Sequence, residues 1–136
     1  MNGELLKTWR KLLDDLESVN ALLLPRCYLQ GIPERVVSCS LHGFGDASSK
    51  AYAAVIYLHV ATTTGSYVTF VASKSRVAPV KQLFILKLEL LASLVLARLI
   101  TDDREALELD VTTKDITCWT DSRVTLFWIR IIAVML

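Results

Sequence analysis

The chain has 136 residues, 53% of them hydrophobic and 21% charged, with a formal net charge of +1. This is enough globular sequence for one domain, too short for two cores and too apolar for disorder. The near-neutral charge excludes a nucleic-acid clamp that works by bulk basicity, so any phosphate neutralisation must come from metal ions or from other domains.

Residues 4–20, ELLKTWRKLLDDLESVN, space Leu5, Trp9, Leu12, Leu13 and Leu16 at helical intervals between charges. That pattern predicts an amphipathic helix and not a signal peptide. Pro25, Gly31 and Pro33 interrupt the link that follows. The period then changes. VVSCSLHGFG alternates, AYAAVIYLHV is rich in small and β-branched residues, TTTG is a turn with Gly65, and SYVTFVASKSRV reads as a third strand. Three strands joined by short links predict an antiparallel meander. Pro79 opens a helix expected from about residue 80 to Ile100. A polar link, TDDREALELDVTTK, leads to a short strand in DITCWT. SRVTLFWIRIIAVML predicts a final helix with Ser122 as its N-cap.

The order is a leading helix and then β-β-β-α-β-α. A helical crossover places the fourth strand parallel to one of the first three, which gives a mixed sheet of the α/β class. The longest apolar run, LFWIRIIAVML, is broken by Arg130 and falls short of the roughly 18–20 residues a bilayer span needs, so no membrane is expected. Cys27, Cys39 and Cys118 are odd in number and include no CxxC pair, which suits small apolar residues in a reducing, intracellular compartment, cytoplasm or nucleus.

Three acids stand in apolar settings. Asp46 ends the first strand in LHGFGDASSK, on the pleat face of His42 and Phe44. Asp121 ends the fourth strand in CWTDSR. Glu89 lies within LFILKLELLASLVLARLI, where Gln82, Ile85, Ser93, Leu96, Ile100 and Asp103 fall within about 40° of it on a helical wheel, with Lys87 and Arg98 opposite. An ionised carboxylate on such a face calls for a cation or a raised pKa. Ligand sites in open α/β sheets form beyond the carboxyl ends of parallel strands, so neighbouring strands and a helix packed across them would bring the three acids together. Carboxylates without histidine or cysteine suit Mg²⁺ or Mn²⁺, and two such ions about 4 Å apart can drive phosphodiester cleavage.

The segments LHGFGDASSKAYAAVIYL, SKSRVAPVKQLFILKLELLASLVLARLI and ITCWTDSRVTLFWIR, with GFGDAS, LELLA and WTDS in that order, closely resemble the BEL/Pao type of LTR retrotransposon polyprotein. The resemblance covers roughly residues 5–130 and falls on the ribonuclease H-like region that follows the reverse transcriptase. It implies that Asp46, Glu89 and Asp121 hold two Mg²⁺ ions and hydrolyse the RNA strand of an RNA–DNA hybrid. It also implies that residues 1–35 are a connection from the polymerase and residues 36–136 a partial ribonuclease H-like domain. Two departures stand out. Leu86 and Lys87 replace the Pro-Arg usual before LEL, and the chain stops at Leu136, before the family's last strand, last helix and fourth acid. The expectation is a C-terminally truncated fragment, either active on three ligands or a relic that only binds.

A peptidase label has also been attached to this retroelement region. An aspartic peptidase needs Asp-Thr/Ser-Gly turns, but no glycine completes DAS or DSR here, and Glu89 would have no role. Lys74 and Arg76 in SKSR are candidate phosphate contacts, and Ser48 and Ser122 candidates for orienting ligands or phosphate. Trp119 and Trp128 read as core, and His42 and His59 as ordinary strand residues.

Overall fold

The structure is a computed structural model and describes residues 3–21, 23, 27–29, 31–32, 35–80, 83–107 and 115–135. The chain forms two compact units, Met1–Gln30 and Gly31–Leu136. The first contains α1 (Gly3–Val19), the helix expected from the spacing of its leucines. All of its apolar stripe is exposed, and Leu5, Trp9 and Leu12 line a shallow apolar face with Thr8.

The second unit holds β1 (Val36–Ala47), β2 (Ala51–Thr62), β3 (Ser66–Val77), α2 (Ile85–Ala106), β4 (Ile116–Trp119) and α3 (Arg123–Met135). Strand order is β3-β2-β1-β4. The first three strands form an antiparallel meander, and β4 lies parallel to β1, as a helical crossover requires. The mixed four-stranded α/β sheet expected from the element order is therefore the observed one.

Alternation sets the two faces of the sheet. Leu41, Ala54, Ile56, Leu58 and Val60 are buried on one face, and α2 covers them with Leu88, Ala92, Leu96 and Ile100, one residue per turn along a single stripe. Each large side chain so buried contributes about 1.5–3 kcal/mol. Glycine at 43 and 45 lets the helix come this close. A Cβ on Gly43 would stand 2.5 Å from Leu96 Cδ1, and one on Gly45 3.4 Å from the Ala92 carbonyl oxygen.

The opposite face carries His42, Phe44 and Tyr57, with Trp119 and Phe70, in ring contact from strand to strand at centroid distances of 6.1–6.4 Å. This corrects the reading of both tryptophans as core. Trp119 lies on that open face and is 50% exposed, and Trp128 on α3 is 54% exposed. The helical stripe that fills the core comes from α2 and leaves these rings outside it.

The helix expected over 80–100 is displaced. Phe84 keeps an extended backbone (φ −62°, ψ 142°) without a side-chain cap, so α2 starts at Ile85, well beyond Pro79. Gln82, expected on the face of Glu89, lies outside the described residues. At the other end the helix runs on to Ala106 through the segment read as a polar link. No glycine or proline interrupts TDDREA, and the Thr101 hydroxyl folds back onto the Ala97 carbonyl at 2.8 Å. No helix among the described residues is long and apolar enough to cross a membrane.

Candidate active site

β4 pairs with β1 in the register Leu41↔Ile116, His42↔Thr117, Gly43↔Cys118 and Phe44↔Trp119. Asp46 lies two residues beyond Phe44 near the end of β1, and Asp121 two beyond Trp119 in the bend after β4, so both acids lie toward the carboxyl ends of neighbouring parallel strands. Side chains on the open face hold this register. The Trp119 indole donates to His42 Nδ1 at 3.3 Å, and its ring lies nearly parallel to Phe44 (12°) and His42 (21°). An indole N–H can only donate, so neutral His42 accepts at Nδ1 and carries its proton on Nε2. That proton points to Ser40 Oγ at 3.2 Å, and Ser40 in turn reaches His59 Nδ1 at 3.3 Å. The two histidines read as ordinary strand residues thus belong to a directed chain of hydrogen bonds that pins β4 to the sheet. The alternation of His42, Phe44 and Asp46 on one pleat was the signal for it in the sequence.

The turn after β4 is built locally. The Ser122 N–H bonds the Thr120 hydroxyl at 3.3 Å, and Asp121 between them is exposed. Ser122 caps α3 as expected: its Oγ accepts the Thr125 N–H at 3.2 Å and its carbonyl the Leu126 N–H at 3.0 Å. The same Ser122 hydroxyl donates to Glu89 Oε2. Glu89 is half-buried on α2 one turn before Ala92, the residue that packs on Gly45. Its need for a partner is therefore met in part by a hydroxyl donor and in part by the water that half-exposure allows.

Asp46 is exposed, and its Oδ1 takes the neighbouring Ala47 N–H at 2.7 Å. It follows the pleat onto the open face, where it lines a depression with Phe44, Val55, Ser73 and Lys74. Glu89 comes from the helix on the other face. The pleat is why adjacency of the strands does not by itself close the carboxylates into one group. Among the described residues, no three histidine, cysteine, aspartate or glutamate side chains stand close enough to hold one metal ion. In kind, the donors fit a hard divalent cation: all are carboxylate oxygens, on elements that meet at the ends of β1 and β4.

The remaining candidates separate. Lys74 borders the depression beside Asp46. Arg76 stands two residues further along the exposed edge strand β3, opposite Tyr52. The Ser48 hydroxyl is committed to the β1–β2 turn, where it accepts the Lys50 and Ala51 N–H groups at 3.2 Å and donates to the Ala51 carbonyl. Cys27, Cys39 and Cys118 form no disulfide.

No curated protein and no solved structure gives a significant match to the chain. One family does: the Pao retrotransposon-like RNaseH-like domain matches residues 1–122. With that match over most of its length, and a mixed sheet in which β1 and β4 run parallel, the chain belongs to the ribonuclease H-like domains of Pao-type retrotransposons.

Proposed function

We propose that this domain hydrolyses the RNA strand of an RNA–DNA hybrid, with Asp46, Glu89 and Asp121 holding two Mg²⁺ or Mn²⁺ ions. The observation that supports the reading is the parallel pairing of β1 with β4, whose carboxyl ends carry Asp46 and Asp121, in a chain of this family. The hydrogen bond from Ser122, the residue next to Asp121, to Glu89 supports counting Glu89 with them.

The ions would supply an activated water and neutralise charge on the leaving oxygen. The rest falls to the chain. Asp46 and Asp121 present exposed carboxylates toward the carboxyl ends of adjacent parallel strands. Lys74, at the border of the depression that Asp46 lines, would offer a cation to the phosphate backbone there, and Arg76 would offer a second one further along β3. With a formal charge of only +1, the domain needs the reverse transcriptase domain of its parent polyprotein to hold the hybrid.

The test is cleavage of a strand-labelled RNA–DNA hybrid in Mg²⁺, Mn²⁺ or EDTA, with Asp46→Asn and Asp121→Asn alongside the parent chain. Metal-dependent cutting of the RNA strand, lost at least a hundredfold in either variant, is the expected result. A folded sample that retains hybrid but cuts neither strand would make the domain a binding relic.

A further inference from the structure

Ser122 does more than start α3. Its side chain is 8% exposed, and its Oγ accepts the Thr125 N–H at 3.2 Å. A serine hydroxyl has a single proton, and here that proton goes to Glu89 Oε2. The cap therefore fixes the direction in which the hydroxyl donates. One side chain ties the first turn of α3 to a carboxylate on α2, 33 positions away in sequence, and does so at the residue adjoining Asp121.

We propose that Ser122 is a positioning residue of the divalent-cation site: its hydroxyl holds one oxygen of Glu89 and fixes the rotamer of that carboxylate beside the turn that carries Asp121. The inference rests on the metal-binding reading above. A helix cap alone asks nothing of Glu89, because Ser, Thr, Asp, Asn and Gly all cap. Of these, only serine and threonine combine a capping oxygen with a hydroxyl donor. Removing Glu89's hydrogen-bond donor releases its rotamer, so the loss registers in cation affinity.

The test follows free Mn²⁺ by electron paramagnetic resonance during titration of the full chain, with thermal unfolding measured on the same samples. S122G removes the donor and keeps a residue that caps tolerably, while S122T keeps both functions. About tenfold weaker Mn²⁺ binding is expected for S122G, the lower end of what loss of an outer hydrogen bond to a metal ligand costs. S122T is expected within about twofold of the parent, with little change in unfolding midpoint for either. In a Glu89→Gln background, S122G should cause no further loss. Where S122G does not fold, S122A takes its place. Unchanged Mn²⁺ affinity in S122G, or equal weakening in S122G and S122T with lowered midpoints, overturns the proposal and leaves Ser122 a helix cap. A parent chain that binds no Mn²⁺ overturns the metal-binding reading and this role together.

Discussion

The contact that aims α2 at the sheet can be broken and repaired at one point. A methyl group added in Gly43→Ala would stand 2.5 Å from Leu96 Cδ1 and 3.3 Å from Ile100 Cδ1. Carbon atoms rest about 3.5–4.0 Å apart, so Leu96 must retreat by roughly 1 Å in a core where it is 4% exposed. Overpacking of this kind costs about 1–3 kcal/mol, offset in part by the 0.4–1 kcal/mol that alanine gains over glycine in the unfolded chain. Leu96→Ala alone should cost about 2–5 kcal/mol. In the double variant the new methyl occupies space that the leucine vacates, so the two losses should fall short of their sum by at least about 1 kcal/mol. Urea unfolding of the four proteins, with the denaturant slope held in common, reads this directly. Additivity within about 0.5 kcal/mol would show that α2 does not rest on Gly43, and the placement of Glu89 two turns earlier on the same helix would lose its support.

Two further substitutions test polar groups left without partners. Asp103 Oδ2 is buried with no hydrogen bond among the described residues, and burial, aided by neighbouring Asp102, pushes its carboxyl above the ordinary carboxylate value. A raised carboxyl stabilises the fold in its protonated form; that contribution is complete below the ordinary value and is lost as pH rises through the raised one. Asp103→Asn should therefore stabilise the protein at neutral pH by less than about 1 kcal/mol, given its partial exposure, and the gain should vanish below about pH 4. Unfolding midpoints across pH that ran parallel for the two proteins would refute this. Thr125 is 1% exposed, and its Oγ1 also lacks a partner among the described residues. Replacing it with the near-isosteric valine should raise stability by about 1 kcal/mol in urea unfolding, and a loss would mean that the hydroxyl is satisfied in solution.

The sequence disclosed what is periodic or local. Alternation in β1, the small and β-branched residues of β2, the turn at Gly65 and the cap at Ser122 all follow from residues within a few positions of one another, whereas the part Ser48 plays in the β1–β2 turn went unread. The crossover rule then made β4 parallel, and its pairing with β1 sets Asp46 and Asp121 toward the same end of the two strands. Helix ends were less legible. Pro79 marks a permitted start, but the extended backbone of Phe84 sets the actual one, and the polar TDDREA contains nothing to stop α2. The long-range partnerships were not legible at all. Glu89 required some partner, and only the packing of α2 against α3 chose Ser122. Trp119 looked like core because indole is apolar, yet it lies on the sheet face away from α2, bonded to His42.

That β4 is short and distant in sequence bears on the order in which the site comes into being. The meander closes by neighbouring pairs, Ala47 with Tyr52 and Ala61 with Ser66, and so carries little loop-closure entropy. β4 must bring Ile116 back to Leu41 and gains only four paired residues for doing so. The scaffold can thus assemble before the site exists, and Asp121 and Ser122 take their places only when this last strand docks. The same strand is the natural first to leave. A transient opening at β4 would part Trp119 from His42 and Ser122 from Glu89 while three strands and α2 stay folded, so the proposed site can be lost well before the fold is.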